Sequence, residues 1–196
     1  ILTALGVGSL AVALALQDTL SNLFAGFNIL ASKQLSPGDY VRLDSGQEGY
    51  IVDISWRTTR IRELANNIII VPNTKISSSI ITNYYAPNKE TSALVQVGVS
   101  YASNLERVEQ VTVEVAEETL KTVPGGVPGA KPFIRYHTLG DSDIKFTVIL
   151  QILQHTDKFL IIHEFIKRLH KRYEQEGIEI PFPQRVVHLQ KNITPQ

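Results

Sequence analysis

The chain has 196 residues, enough for one large domain, or for two small domains and an additional segment. Its 19 basic and 19 acidic residues cancel, which speaks against a nucleic-acid binder, because such proteins carry a basic excess or stripe. Cysteine is absent, which excludes disulfide bonds and thiolate metal sites.

The first 32 residues are rich in Ala, Leu and Gly, and their only charged residue is Asp18. Residues 1–17 form an uncharged run that reaches about 25 Å as a helix, at the short edge of what spans a bilayer. A secretory signal would have a basic beginning and a shorter apolar core, which are absent here. The sequence therefore predicts a transmembrane helix over residues 1–32, with a buried core helix as the alternative.

Small residues are spread over two flanks of this helix. In lipid, helices associate through small side chains, because these let the backbones approach closely. A single lipid-facing anchor gains nothing from so many of them, so we expect tight packing against neighbouring helices on both sides, as in a ring. The small residues assigned to this packing are Gly6, Gly8, Ala11, Ala13 and Ala15.

One stripe of residues recurs every three to four positions, as expected for one face of a helix. If copies surround an axis and this face lines it, Leu10 and Leu14 form two apolar rings one turn apart. Such a constriction can lose its water and stop ions without a plug. The alternative is that these leucines face lipid or a neighbouring helix. The pore-lining stripe consists of Thr3, Val7, Leu10, Leu14, Gln17 and Ser21.

Asp18 needs a separate explanation, because an unpaired charge at bilayer depth costs about 2.5–3.5 kcal/mol. As an N-cap, its carboxylate would accept hydrogen bonds from the free amides of a helix that restarts at Thr19. This predicts a break or sharp bend near Gln17 and Asp18, followed by an amphipathic helix to residue 31. An acidic ring that faces the pore is the alternative. Lys33, shortly after, indicates a cytoplasmic exit.

Residues 33–85 carry the signals of short strands. Alternating or continuous apolar runs cover residues 40–43, 49–54, 58–64 and 68–71, between segments rich in Pro, Gly, Asp and Asn. Asn66 and Asn67 fit a hairpin turn, because Asn tolerates a positive φ. Strands at this spacing predict a small, Sm-like β barrel or sandwich.

In residues 86–196, the sequence predicts helices between strands, unlike the all-β pattern before them. Gly177 is predicted to end the second helix. The order β-α-β-β-α-β is that of a ferredoxin-like α/β domain, a fold that hosts many functions and decides none. The predicted strands are residues 93–99, 133–139, 144–153 and 186–189, and the predicted helices are residues 103–122 and 157–176.

Several short motifs follow one another along the chain. They are SLAVALALQ at 9–17, LSNL at 20–23, AG at 25–26, PGDYV at 37–41, EG at 48–49, RTTR at 57–60, VPNTKI at 71–76 and GIEIPFPQ at 177–184. From about residue 6 to residue 189 the chain thus resembles the MscS family of small-conductance mechanosensitive channels. The first three motifs resemble its pore helix, the next four its β domain, and the last the end of its α/β domain.

The resemblance implies a homoheptamer in the inner membrane, with residues 33–196 as a cytoplasmic vestibule. It also implies a pore that opens under membrane tension and releases ions and small solutes on hypo-osmotic shock. Leu10 and Leu14 are then the hydrophobic gate, and Gly26 is a second bend. The resemblance also implies preceding membrane helices in a complete, multi-pass protein, and a chain without methionine, even at position 1, is consistent with this expectation. Asp18 departs from the family's best-known member, which has Gly at the bend.

No catalytic or metal-binding arrangement accompanies these motifs, so we expect neither an enzyme nor a cofactor. His163 and Glu164 begin like a zinc-protease helix, but position 167 is Lys, so the second ligand is absent. The rival hypothesis is a soluble or peripheral module, in which a β barrel joined to a ferredoxin-like domain binds RNA or a small molecule. The neutral charge speaks against RNA.

Overall fold

The computed structural model describes residues 2–187, with side chains described at residue 6 and from residue 8 onward. The chain divides into two compact units, Ile1–Lys89 and Glu90–Gln196. The sequence analysis predicts a helix over residues 1–32 and a separate β domain over residues 33–85. In the structure both belong to the first unit, because the end of the helix packs against the strands.

Helix α1 spans Leu2–Ser32 without interruption. This corrects the break predicted near Gln17 and Asp18, with Asp18 as an N-cap, because both residues lie inside the helix. The Ala, Leu and Gln residues before Asp18 have high helix propensity, so backbone hydrogen bonding continues past a single Asp. The side-chain amide of Asn22 also donates to the Asp18 carbonyl oxygen, at 2.9 Å. Gly26, the second predicted bend, lies inside the same helix.

An antiparallel sheet follows α1 in the first unit. Its elements are β1 (Tyr40–Leu43), β2 (Glu48–Ile54), β3 (Thr58–Arg62), β4 (Ile68–Pro72), the short helix α2 (Asn73–Ser78) and β5 (Ile81–Asn83). The strand order is β4-β3-β2-β1-β5. The four predicted strands are confirmed to within two residues at each end, and Asn66 has the positive φ of 70° that its turn requires. The sequence did not predict α2 and β5.

The core of the first unit joins the sheet to the end of α1. Alternate strand residues point inward, so that Val41 and Ile51 are buried. Ile29 of α1 and Ile76 of α2 are buried in the same cluster. The last turns of α1 are therefore part of the β domain's core.

The second unit alternates strands and helices. Its elements are β6 (Thr91–Val99), α3 (Leu105–Thr122), β7 (Phe133–Leu139), β8 (Ile144–Ile152) and α4 (Lys158–Glu176). The strands form an antiparallel sheet in the order β6-β8-β7, and the two helices pack against each other and against it. Asn104 caps α3 by accepting a hydrogen bond from the Arg107 amide at 3.0 Å. Gly177, with a φ of 66°, ends α4 as predicted.

The predicted last strand, over residues 186–189, is only partly covered by the structure. Val186 and Val187 have no regular secondary structure, and residues 188 and 189 lie outside the described residues. The second unit is thus β-α-β-β-α as far as the structure describes it. Val186 and Val187 are apolar, but apolar residues form a strand only where their backbone groups bond to a neighbouring strand.

Candidate functional site

The first two-thirds of α1 are apolar and exposed. Every residue from 8 to 21 is exposed, including Leu10 at 62% and Leu14 at 63%. The alternative of a buried core helix is therefore wrong for this segment. Among residues 2–187, one helix segment, Gly8–Ser32, is long and apolar enough to cross a membrane.

The exposed part of α1 has two different faces. Leu10, Leu14 and Gln17 line one open groove along the helix. Leu16 lies about 160° around the helix axis from Leu14, at 3.6 residues per turn. Phe27 lies close to Leu16 around the helix, and these two large side chains of the far face are 48% and 67% exposed, Leu16 being the less exposed. A helix that is apolar all round is typical of a protein core or of a membrane span, and no core among residues 2–187 covers this part of α1.

Within the part of the chain that the structure describes, the small residues assigned to helix packing pack against no other element. A Cβ added at Gly6 or Gly8 would meet nothing within 4 Å. Ala11, Ala13 and Ala15 are exposed. Their close packing therefore stays a prediction for contacts between chains. The predictions for Thr3 and Val7 concern side chains outside the described residues.

Beyond Asp18, α1 joins the β domain through a polar contact that the sequence analysis did not identify. Asn22 is 8% exposed, and its side-chain oxygen accepts hydrogen bonds from the Thr74 amide and the Thr74 hydroxyl, both at 3.1 Å. Thr74 belongs to α2, directly after strand β4. Two side-chain hydrogen bonds thus connect the apolar helix to the start of α2.

Asn73 completes this contact from the other side. It is fully buried, its side-chain amide donates to the Ser55 carbonyl oxygen at 2.8 Å, and its side-chain oxygen accepts from the Thr59 hydroxyl at 3.0 Å. A Cβ at Gly26 would overlap the Asn73 side-chain nitrogen, so glycine permits the close approach. We call Asn22, Gly26, Thr59, Asn73 and Thr74 the junction.

The junction residues occur in two of the motifs, LSNL and VPNTKI, but their chemistry depends on proximity. Asn22 and Thr74 are 52 positions apart in sequence. A Pro before Asn73 is a known signal for a helix start, and it could have predicted α2. No pattern in one sequence could have shown that this start meets α1.

His163 and Glu164 lie on α4, beside Lys167. Lys167 occupies the position of a second ligand, and its ammonium donates to the Glu164 carboxylate at 2.9 Å. This hydrogen bond is the main reason that the pKa of Glu164 is lowered. Within residues 2–187, no group of three or more His, Asp or Glu side chains lies close enough to hold a metal ion.

Comparisons with known proteins give a consistent result. A family model for the β-domain of mechanosensitive ion channels matches residues 18–86. A model for the C-terminal part of the mechanosensitive ion channel MscS matches residues 93–180. The two matches follow the division of the chain into its two units.

Two relatives are channels of Methanocaldococcus jannaschii. The small-conductance mechanosensitive channel MscMJ is 30% identical over 194 residues, and the large-conductance mechanosensitive channel MscMJLR is 32% identical over 200 residues. Each match covers 98% of this chain and 54% of the relative, so the chain spans about half the length of these relatives. The crystal structure of Helicobacter pylori MscS in the closed state has the same fold, with a TM-score of 0.81 at 24% identity, covering 98% of this chain and 74% of that one.

Proposed function

The chain belongs to the MscS family of mechanosensitive ion channels, and we propose that it is the pore-lining and cytoplasmic part of a channel subunit opened by membrane tension. Membership implies a membrane location, and the family is not an enzyme class. The proposal includes a homoheptamer in the inner membrane, residues 33–196 in the cytoplasm, and further membrane helices in the complete protein. Ions and small solutes would pass on hypo-osmotic shock.

The observation that carries this proposal is the exposed apolar surface of α1. In water, such a surface would cost roughly 25 cal/mol per Å² of apolar area left uncovered. The rival hypothesis, a soluble binding module, must leave Leu10, Leu14 and the large side chains of the far face in water. A membrane and a ring of copies remove this cost, since lipid covers one face and subunits cover the flanks.

The gate is proposed at Leu10 and Leu14. They are one turn apart on one groove of α1, whereas Leu16 lies on another face of the helix, about 160° from Leu14. Around an axis, two leucine rings would make a narrow apolar stretch from which water withdraws when the bilayer is relaxed. Thr3, Val7 and Gln17 are proposed to line the same path, and no catalytic group is needed for it.

The small residues of α1 are proposed to set how closely the subunits pack. Among the described residues nothing occupies the space beside Gly6 and Gly8, and Ala11 is exposed, so another α1 can approach them. Close approach strengthens dispersion contacts between helices and narrows the ring of leucines. Widening the pore must then loosen these contacts, which links tension to opening.

The junction is proposed to couple the pore helix to the β domain. Hydrogen bonds link Asn22 of α1 to Thr74 of α2, and Asn73 of α2 to Thr59 of strand β3. Breaking one buried hydrogen bond costs about 1–3 kcal/mol when a partner is left unsatisfied. A movement of the end of α1 is therefore expected to move the β domain with it.

The test of the gate compares two leucines of the same helix. The complete protein is reconstituted in liposomes, and single channels are recorded under suction. Leu14→Ser should open at lower tension than the parent, because a polar ring wets more readily. Leu10→Ser should act in the same direction.

The matched control is Leu16→Ser, about 160° around the same helix. It removes the same side chain but leaves the proposed pore face unchanged, so the opening tension should stay close to that of the parent. The pore assignment would fall if Leu14→Ser left the tension unchanged, or if Leu16→Ser lowered it as much. Absence of any tension-activated current in the parent would overturn the proposed function itself.

A further inference from the structure

Asp18 remains unexplained once α1 is continuous. It is the only charged residue among the first 32, and it lies inside the helix instead of capping one. Its side chain is exposed, and its carboxylate has no ion pair or hydrogen bond with any residue that the structure describes. Lys33, the next basic residue, lies beyond the end of α1, about 22 Å along the helix axis. No contact within residues 2–187 therefore gives this carboxylate a structural role.

The uninterrupted helix fixes where Asp18 points. It follows Leu14 by four residues, which places it about 6 Å further along the axis and about 40° around it. It lies about 160° from Leu16 and about 180° from Phe27, on the side away from these two exposed apolar residues. A carboxylate facing lipid would cost about 2.5–3.5 kcal/mol, so the face away from lipid, where water reaches, is the stable one.

We propose that Asp18 sets the charge preference of the pore, as a ring of carboxylates directly on the C-terminal side of the leucine gate. This inference rests on the proposed function, because it needs copies of α1 around an axis. In such a ring, each subunit contributes one negative charge and no basic residue of α1 compensates it. A ring of one sign raises the local concentration of counter-ions, here cations, and repels anions.

The preference is expected to be modest. The ring stands one turn beyond the leucines, where the path holds water, so salt screens it. The Debye length is about 10 Å at 0.1 M salt and about 30 Å at 0.01 M. Cation preference should therefore strengthen as the salt concentration falls, whereas a steric effect of the Asp18 side chain would not change with salt.

The experiment measures reversal potentials of the complete protein in liposomes, under a KCl gradient and suction. Asp18→Asn keeps the shape of the side chain and removes its charge, and we expect the cation-to-anion permeability ratio to fall about twofold or more. Asp18→Glu keeps the charge and should keep the ratio within that margin. Glu90→Gln, which removes a carboxylate from an exposed position outside α1, is the matched control and should leave the ratio unchanged.

A second measurement does not depend on how the Asn variant folds or opens. These 196 residues contain no cysteine, so Asp18→Cys offers one thiol in this part of the channel. An anionic methanethiosulfonate reagent should restore the cation preference, and a cationic reagent of similar size should reverse it.

Three results would overturn the inference while leaving the channel function intact. They are an unchanged permeability ratio in Asp18→Asn, an equal shift in Glu90→Gln, and tension-activated currents of Asp18→Cys that neither reagent alters. In each case the channel conducts and Asp18 does not set its preference. If the parent protein conducts no tension-activated current, the proposed function fails first.

Discussion

The apolar side chains of α4 are buried along one face of the helix, whereas those of α1 are mostly exposed. In α4, Ile161 and Phe165 are fully buried, as part of one stripe that faces the sheet of the second unit. In α1, Leu14 and Phe27 are 63% and 67% exposed, and only the end of the helix reaches a core. The difference teaches that α4 buries its apolar face against its own unit, whereas the first two-thirds of α1 have no such cover among residues 2–187.

The largest expected effect comes from a comparison of two substitutions, in which one phenylalanine of each helix is replaced by alanine. Phe165→Ala should lower the free energy of unfolding of the second unit by about 3–5 kcal/mol, because it leaves a cavity in a closed core. Phe27→Ala should change the stability of either unit by less than about 0.5 kcal/mol, because the Phe27 side chain is 67% exposed and fills no core. Hydrogen exchange of the β3 and β8 amides in the complete protein would measure both. Equal losses in the two variants would contradict the comparison.

A second prediction concerns the one stretch where α1 is buried like α4. Gly26→Ala should destabilise the first unit by about 1–3 kcal/mol, since the new Cβ displaces the Asn73 amide from its hydrogen bonds. Gly8→Ala in the exposed part is the control, because a Cβ there meets nothing within 4 Å. Hydrogen exchange of the β3 amides reports the difference. If Gly8→Ala reduced β3 protection as much as Gly26→Ala, the junction would not be the cause.

The smallest effect is expected at Tyr173, near the end of α4. The side chain is buried, and its hydroxyl lies 2.6 Å from that of Thr112. Burial raises the pKa of Tyr173 to about 12, whereas an unfolded tyrosine has a pKa of about 10. The folded state thus keeps its proton longer, and the stability of the second unit is expected to fall as the pH rises from about 10 through about 12.

Tyr173→Phe tests this assignment. The variant should lose about 1 kcal/mol near neutral pH, through the missing hydrogen bond, and should show a shallower loss of stability above pH 10. Part of the alkaline loss should remain, because burial also raises the pKa of Tyr136 to about 12. Thermal melting of the complete protein across this pH range measures both. An unchanged alkaline slope would show that Tyr173 ionises equally in the folded and unfolded states.

Much of the fold was predictable because its signals are local. The strand starting at Tyr40 and the helix ending before Gly177 follow from alternation, helical spacing and one glycine. The fold predicted for residues 86–196 agrees with the structure as far as Glu176. The two short elements that were missed, α2 and β5, have three to six residues, and such lengths carry too little periodicity to be recognised.

The candidate site was predictable in part. The stripe with Leu10 and Leu14 came from spacing, and the structure leaves both exposed on one groove. Asp18 is predicted as a cap because Asp favours helix starts. Propensity is a weak signal, however, and the neighbouring residues with high helix propensity keep the helix continuous through Asp18. The junction was missed because hydrogen bonds between Asn22 and Thr74 depend on how the chain folds back.

By itself, the sequence determined that a helix of apolar and small residues precedes a β domain and an α/β domain, because periodicity and residue size act within a few positions. Only the tertiary structure decided that α1 runs unbroken through Asp18 and that Gly26 meets Asn73. The physical reason is distance along the chain: contacts between residues tens of positions apart depend on the packing of whole elements, which no local pattern specifies.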